Sequence, residues 1–319
     1  MIFMPEVLTI LILNVIFTFF ALIAFVLSVK IYRNWDLTST CQNQYKLEKQ
    51  SFLTATIIKY IFAIKLPLFI FFIFTLDKIS HVLSGAMCAA GVVDATEYGS
   101  YLLILKLINL YLFAYWLALH NVDIKEENQP YTKLKFAVFI VAFFFLMTEI
   151  VLEGLMFGAI DIDKMLSCCG TLYSTTSTSY LSNIFLLKTS LLLSIFYGNF
   201  LFIIISYFVK KRYLFAISNF LFIVVSILAI IAFFGTYIYE LPTHHCPFCF
   251  LQKEYHYVGY LLYIFLFIGT FYGLKVGFIE VTKKEKEQNF TISMFFTTLF
   301  VFVLTLYPIV YFIKNGVWL

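Results

Sequence analysis

The chain has 319 residues, of which 62% are hydrophobic and only 13% are charged, and its mean hydropathy is +0.93. A soluble protein carries about 25% charged residues, so this composition excludes the soluble globular class and predicts a polytopic membrane protein. The net charge of +4 comes from basic residues scattered over short loops, which argues against a nucleic-acid partner and makes membrane lipid the expected surroundings.

Eight apolar runs are long enough to cross a bilayer, which takes about 20 residues of helix. The first run follows Glu6 rather than a basic segment, and no small-residue cleavage site follows it. We therefore expect it to remain as the first transmembrane helix rather than act as a signal peptide. The sequence predicts an all-α helical bundle that forms a single integral membrane domain over residues 1–319. The predicted spans lie near 7–31, 52–77, 101–121, 136–160, 185–209, 214–238, 257–279 and 290–313.

Basic residues are concentrated in alternate connections between these spans. Fourteen Lys and Arg residues occupy one set of connections, whereas about five occupy the other set. Cytoplasmic loops hold the excess of positive charge, so both termini are predicted to face outward. Short loops and the lack of a targeting peptide favour a bacterial inner membrane with the periplasm outside. The outer loops are then 78–100, 161–184 and 239–256.

Five of the six cysteines fall in these outer loops. In the third loop, the Cys-x-x-Cys spacing of Cys246 and Cys249 lets two sulfurs form a disulfide or bind one metal ion. Pro247 suits the first position of a helix, which predicts that Cys246 is an N-cap residue whose thiolate the helix dipole stabilises. The first and second outer loops contribute the remaining three cysteines, Cys88, Cys168 and Cys169.

One hypothesis is a membrane thiol–disulfide oxidoreductase in which these five cysteines are catalytic. Cys246 and Cys249 would form the central dithiol, the other three would pass electrons from a periplasmic thiol protein, and a lipid quinone would accept them. The dithiol resembles that of glutaredoxins, and the arrangement is similar to the quinone-linked thiol oxidases of the DsbB and vitamin K epoxide reductase type. Those proteins have a four-helix core, whereas eight spans are predicted here.

A second hypothesis is that the outer face binds copper or another soft metal ion, because Cys, Met and His are the ligands that Cu(I) prefers. The ion would then pass to a secreted metalloenzyme or help that enzyme to mature. A third hypothesis is an assembly subunit of a larger membrane complex, in which the cysteines form only structural disulfides. The candidate metal ligands are Cys246, Cys249, His244, His245, Cys168, Cys169, Met87 and Cys88.

Two glutamates and two lysines are notable among the ionisable residues inside the predicted spans, because charges at membrane depth are rare and usually face the bundle interior. Glu149 and Glu153 are four residues apart and so share one face of a helix. At about 1.5 Å of rise per residue, Glu149 lies near the depth of Lys65, and Glu153 lies near the depth of Lys106. The sequence therefore predicts the pairs Lys65–Glu149 and Lys106–Glu153, which either hold the helices in register or move protons.

Glycines recur every four residues in the seventh span, at Gly269, Gly273 and Gly277. Small residues at this spacing permit the close approach of another helix. We expect this ridge to be a packing face, with Gly154 and Gly158 of the fourth span as a matching face. The helix that carries the ridge is predicted to begin at the Cys-x-x-Cys motif.

Overall fold

The computed structural model describes residues 3–36, 41–126, 128–161, 188–279 and 282–319. Regular secondary structure in these residues is entirely helical, with no strand among them. One segment, Ile230–Phe234, is a π-helix that directly joins two α-helices, Arg212–Ala229 and Gly235–Tyr239. The helices are α1 (Pro5–Asn34), α2 (Gln42–Ser80), α3 (Ala89–Asp94), α4 (Gly99–Asp123), α5 (Thr132–Ala159), α6 (Thr189–Val209), α7 (Arg212–Ala229), α8 (Gly235–Tyr239), α9 (Val258–Phe278) and α10 (Lys283–Asn315).

Eight helical segments in the described part of the chain are long and apolar enough to cross a membrane. Each corresponds to one predicted span, but two of them begin well before their apolar runs, at Gln42 and Lys283. These extensions are rich in Gln, Glu and Lys, which favour helix without being apolar. At the start of α10 the Thr282 hydroxyl accepts a hydrogen bond from the Glu285 N–H at 3.4 Å, which caps the helix.

The chain divides into two compact units, which are described separately. The first consists of Met1–Val82 and Val92–Lys164, and the second consists of Leu83–Gly91 and Met165–Leu319. The single integral membrane domain predicted over residues 1–319 stays a prediction, as does the outward direction of both termini.

In the first unit, α1 packs against α2 and α5, and α4 packs against the same two helices. These four helices therefore form a closed ring of neighbours, which is a four-helix bundle. Aromatic rings fill its centre: the ring of Phe62 stacks on Phe113 with centroids 4.3 Å apart and meets the edge of Trp116 at 5.5 Å. All three side chains are buried.

In the second unit, α7 packs against α6 and α9, while α10 packs against α9 and also contacts α6. The glycine ridge of α9 lies in these interfaces, as predicted. A Cβ at position 269 would lie only 2.9 Å from the backbone N of Thr297 on α10, and one at 273 would overlap the Asn219 amide on α7.

The matching face expected at Gly154 and Gly158 stays a prediction, because α5 belongs to the first unit and α9 to the second. At Gly154 and Gly158 on α5, no described atom lies within 4 Å of an added Cβ.

Candidate metal centre

Three of the five predicted site cysteines converge in the second unit. The sulfur atoms of Cys88, Cys246 and Cys249 all lie within 4.8 Å of one another, and Cys88 Sγ is 3.5 Å from Cys246 Sγ. A disulfide bond is about 2.05 Å long, so this pair is in contact without a covalent bond. The three residues are 0%, 1% and 5% exposed. The other two candidates, Cys168 and Cys169, lie outside the described residues.

The Cys-x-x-Cys motif lies in an irregular loop and not at the start of a long helix. Cys249 opens a single 3₁₀ turn, Cys249–Leu251, and α9 begins only at Val258. The predicted N-cap position of Cys246, with its stabilisation by a helix dipole, was therefore wrong. His256 and Tyr257 both adopt left-handed backbone angles, with φ of 54° and 56°, and such angles interrupt a helix.

A tyrosine hydroxyl holds the loop in this shape. The Tyr239 hydroxyl donates to the carbonyl of Cys246 and accepts a hydrogen bond from the Phe250 N–H at 3.1 Å. The hydroxyl thus bonds to the backbone at both ends of the Cys-x-x-Cys motif, at the carbonyl of Cys246 and at the N–H that follows Cys249. The Tyr263 hydroxyl adds a bond of 2.8 Å to the Pro247 carbonyl. None of these partners could be identified from the motif alone, because they come from the helices on either side of the loop.

A side-chain amide joins the segment around Cys88 to the same loop. The Gln252 Nε2 donates to the Met87 carbonyl at 2.9 Å. The side chain of Met87 is 67% exposed, in contrast to the buried Cys88 that follows it. The structure therefore assigns Met87 a backbone contact, where the sequence suggested a sulfur ligand.

The adjacent histidines occupy different environments. Nδ1 of His245 lies 3.0 Å from the carbonyl oxygen of Ile231, in the π-helical segment. For His244, the ring packs edge-on against Tyr239 with centroids 4.4 Å apart, and its buried Nε2 has no hydrogen-bond partner. Neither ring has a nitrogen within the 4.8 Å group of sulfurs.

Burial lowers the pKa of His244, the nearby Cys88 opposes this by raising it, and His245 lowers it further. The net effect is a pKa below the ordinary value of 6.5. His244 is thus a neutral imidazole near pH 7, which is the form that binds metal ions.

The spacing of the three sulfurs suits a shared metal ion. Sulfurs bound at about 2.3 Å to one tetrahedral ion lie about 3.8 Å from one another. The observed contact of 3.5 Å and the outer limit of 4.8 Å lie on either side of that value. Cys88, Cys246 and Cys249 therefore form a group that can bind a metal ion.

Comparisons with protein-family models, curated proteins and solved structures found no match. What the three cysteines bind is therefore inferred from their own geometry. A separate cluster of buried polar residues lies in the first unit, and its role is likewise inferred from its geometry.

That cluster contains both of the ion pairs expected from helix depth. Lys65 Nζ lies 3.1 Å from Glu149 Oε1, and Lys106 Nζ lies 2.9 Å from Glu153 Oε1. Lys106 also approaches Glu149 Oε1 at 2.9 Å, which joins the two pairs into one network. All four side chains are at most 4% exposed.

Two asparagines complete the network, and sequence reasoning missed both. Asn14 on α1 donates to Glu153 at 2.7 Å and accepts from Lys65 at 3.0 Å, while Asn109 on α4 donates to Glu149 at 2.6 Å. An uncharged amide within an apolar run is the only signal that could have revealed them. Beside Asn109 lies a cavity of about 10 Å³, which is room for about one water molecule.

Proposed function

We propose that this chain is a multi-pass membrane protein that binds one soft metal ion, Cu(I) or Zn²⁺, through Cys88, Cys246 and Cys249. The observation that carries the proposal is the convergence of three buried sulfurs within 4.8 Å. Thiolates bind both ions well. Buried thiolates are unfavourable unless their charge is compensated, and a bound cation supplies that compensation.

The proposal places the cluster at the outer face of a bacterial inner membrane. Support for the membrane comes from the eight long apolar helices, and support for the outer face comes from the loop charges. Fourteen basic residues lie in the connections opposite the cysteine loops, against about five in the connections on the cysteine side. A site there can accept an ion from the periplasm, or deliver one to a periplasmic metalloenzyme during its maturation.

Metal analysis of the purified protein tests the proposal. Protein prepared under reducing, anaerobic conditions should carry a stoichiometric amount of copper or zinc. Cys246→Ser should lose this metal, because it removes one of the three sulfurs. Cys41→Ser is the matched control, because Cys41 is exposed and lies outside the cluster, and it should keep the metal.

Two results would overturn the proposal. The first is wild-type protein without bound metal, and the second is metal content that Cys246→Ser does not change. Alkylation of the purified protein with and without prior reduction shows in parallel whether the cysteines are present as thiols. Inert disulfides at all of these positions would favour the assembly-subunit hypothesis.

A second candidate function is thiol–disulfide exchange, which the 3.5 Å contact between Cys88 Sγ and Cys246 Sγ favours. The Cys88 thiolate would attack Cys246 of a Cys246–Cys249 disulfide, form a Cys88–Cys246 bond and release the Cys249 thiolate. Regenerating a disulfide from two thiols would release two electrons and two protons, which a quinone takes up to become a quinol. The described part of the unit that contains the cysteines has four long helices, as many as the core of the thiol oxidases that the motif resembles.

Metal binding ranks ahead of exchange because of burial. Exchange with a second protein requires access to an attacking or attacked sulfur, and these three sulfurs are at most 5% exposed. Reversible formation of a Cys246–Cys249 disulfide in protein that contains no metal would reverse this ranking.

A further inference from the structure

His244 lies two residues before Cys246 and has one buried ring nitrogen. Its Nε2 is excluded from solvent and has no hydrogen-bond partner. Buried polar atoms in native proteins nearly always have a partner, and an exception calls for an explanation such as a bound ion. The ring of His244 packs on Tyr239, whose hydroxyl donates to the Cys246 carbonyl, so the ring lies against the residue that holds the cysteine loop.

We infer that His244 is a fourth ligand of the proposed centre and that the bound ion is Zn²⁺. The inference depends on the proposed function, because it assigns the fourth ligand and the identity of the ion at that same site. Three thiolates alone suit Cu(I), which accepts low coordination with soft ligands. Three thiolates and one imidazole form the Cys₃His set that is found in tetrahedral structural zinc sites.

Binding requires the ring of His244 to move toward the sulfurs, since its nitrogens lie outside the 4.8 Å group. The chain connection keeps the ring within reach. His244 precedes Cys246 by two residues, and two residues span at most about 7 Å. The Nε2 atom has no hydrogen bond that would have to break, and the movement would disturb the packing of the ring on Tyr239.

His245 is distinguished from His244 by its contacts. Its Nδ1 lies at hydrogen-bonding distance, 3.0 Å, from the Ile231 carbonyl in the π-helical segment. A π-helical segment shifts the hydrogen-bonding pattern of a helix, and here one of its carbonyls contacts the imidazole. The two neighbouring histidines therefore form a matched pair in which only the first is expected to bind the ion.

The experiment uses Co²⁺ as a spectroscopic probe of the full-length protein in detergent, followed by titration with Zn²⁺. Tetrahedral Co²⁺ bound to sulfur gives intense visible absorption, and its loss reports the affinity of the competing zinc. His244→Ala should weaken zinc binding at least about tenfold. Removing even a residue that only hydrogen-bonds to a metal ligand lowers metal affinity about 10–100-fold. His245→Ala should leave the spectrum and the affinity unchanged, and His244→Cys should restore tight binding by supplying another ligand.

The outcomes separate this inference from the proposed function. If Co²⁺ binds to the wild type and is lost in Cys246→Ser, but His244→Ala matches the wild type, the three-cysteine centre stands and the fourth-ligand inference fails. The inference is also overturned if His244→Cys does not restore binding. It is overturned as well if the protein binds Cu(I) that Zn²⁺ cannot displace. If the wild type binds none of these ions, the proposed function fails with it.

Discussion

The carboxylate of Glu149 receives contacts from three buried side chains, the ammonium groups of Lys65 and Lys106 and the amide of Asn109. It lies on a helix that is apolar enough to cross a membrane, where an uncompensated charge is costly. Removing one partner of a buried ion pair leaves the other charge unpaired, and this costs more than the intact pair contributes.

We predict that Glu149→Gln destabilises the protein by about 3–5 kcal/mol, because two buried ammonium groups would lose their shared carboxylate. The matched control is Glu240→Gln, which affects an exposed pair with Lys314 and should cost less than about 1 kcal/mol. Unfolding of both variants in detergent, compared with the wild type, measures the difference. Equal stabilities of the two variants would mean that the cluster does not hold the first unit together.

The charged members of this cluster could be predicted from the sequence, because a charged residue in an apolar run is conspicuous and helix rise fixes its depth. Asn14 and Asn109 could not be predicted in the same way. Their place in the network depends on how α1 and α4 rotate toward α5, and that rotation follows from the packing of the whole unit. Tyr239, the last residue of α8, was missed for a related reason, since its role is a hydrogen bond to the backbone of the loop.

At the level of elements, the α9 ridge shows how small residues set the distance between helices. At Gly269 the nearest backbone atom of α10 is already in the position that a larger side chain would need. A backbone atom cannot give way as the end of a flexible side chain can, so the interface has to separate to accept a methyl group.

Gly269→Ala should therefore destabilise the protein by about 1–3 kcal/mol, the usual cost of overpacking. The same substitution at Gly154 meets no described atom within 4 Å and should be neutral or stabilise the helix by about 0.5–1 kcal/mol. Thermal unfolding of the two variants side by side makes the comparison. A destabilising effect of equal size at both positions would show that the cost arises from the helix backbone and not from the interface.

The elements themselves were predictable where hydrophobicity determines them. All eight spans have a corresponding helix, because an apolar run of sufficient length leaves few alternatives to a helix. The segment between Glu240 and Val258 was not predictable from Pro247 and the Cys-x-x-Cys spacing. Residues with left-handed backbone angles and hydrogen bonds from distant side chains determine the course of this segment. Neither feature can be recognised from the neighbouring residues in the sequence.

At the scale of the whole molecule, each of the two units has four long apolar helices among the residues that the structure describes. If these eight helices are the spans of the chain, their even number returns the chain to the side on which it began. The asymmetry of loop charge predicts that this side is the outer one, since basic residues remain in the cytoplasm.

We predict that reporter proteins that are active only outside the cytoplasm will function when fused at the C-terminus or in the loop near Cys88. The same reporters inserted near Lys211 or Lys284 should be inactive, because those positions belong to the basic set of connections. Activity measured in cells at equal expression provides the test. The opposite pattern would place the cysteine cluster in the reducing cytoplasm and would remove the periplasmic part of the proposed function.

Because the three sulfurs of the cluster are almost completely buried, the proposed ion would have to wait for the surrounding loop to open before it could enter or leave. Local opening of this kind has its own free energy and rate, distinct from those of global unfolding. The residence time of the proposed ion would then depend on the hydrogen bonds of Tyr239 and Tyr263 to the loop, and not on the strength of the metal–sulfur bonds alone. A protein built in this way would retain its ion kinetically, and a partner that received the ion would first have to open the loop.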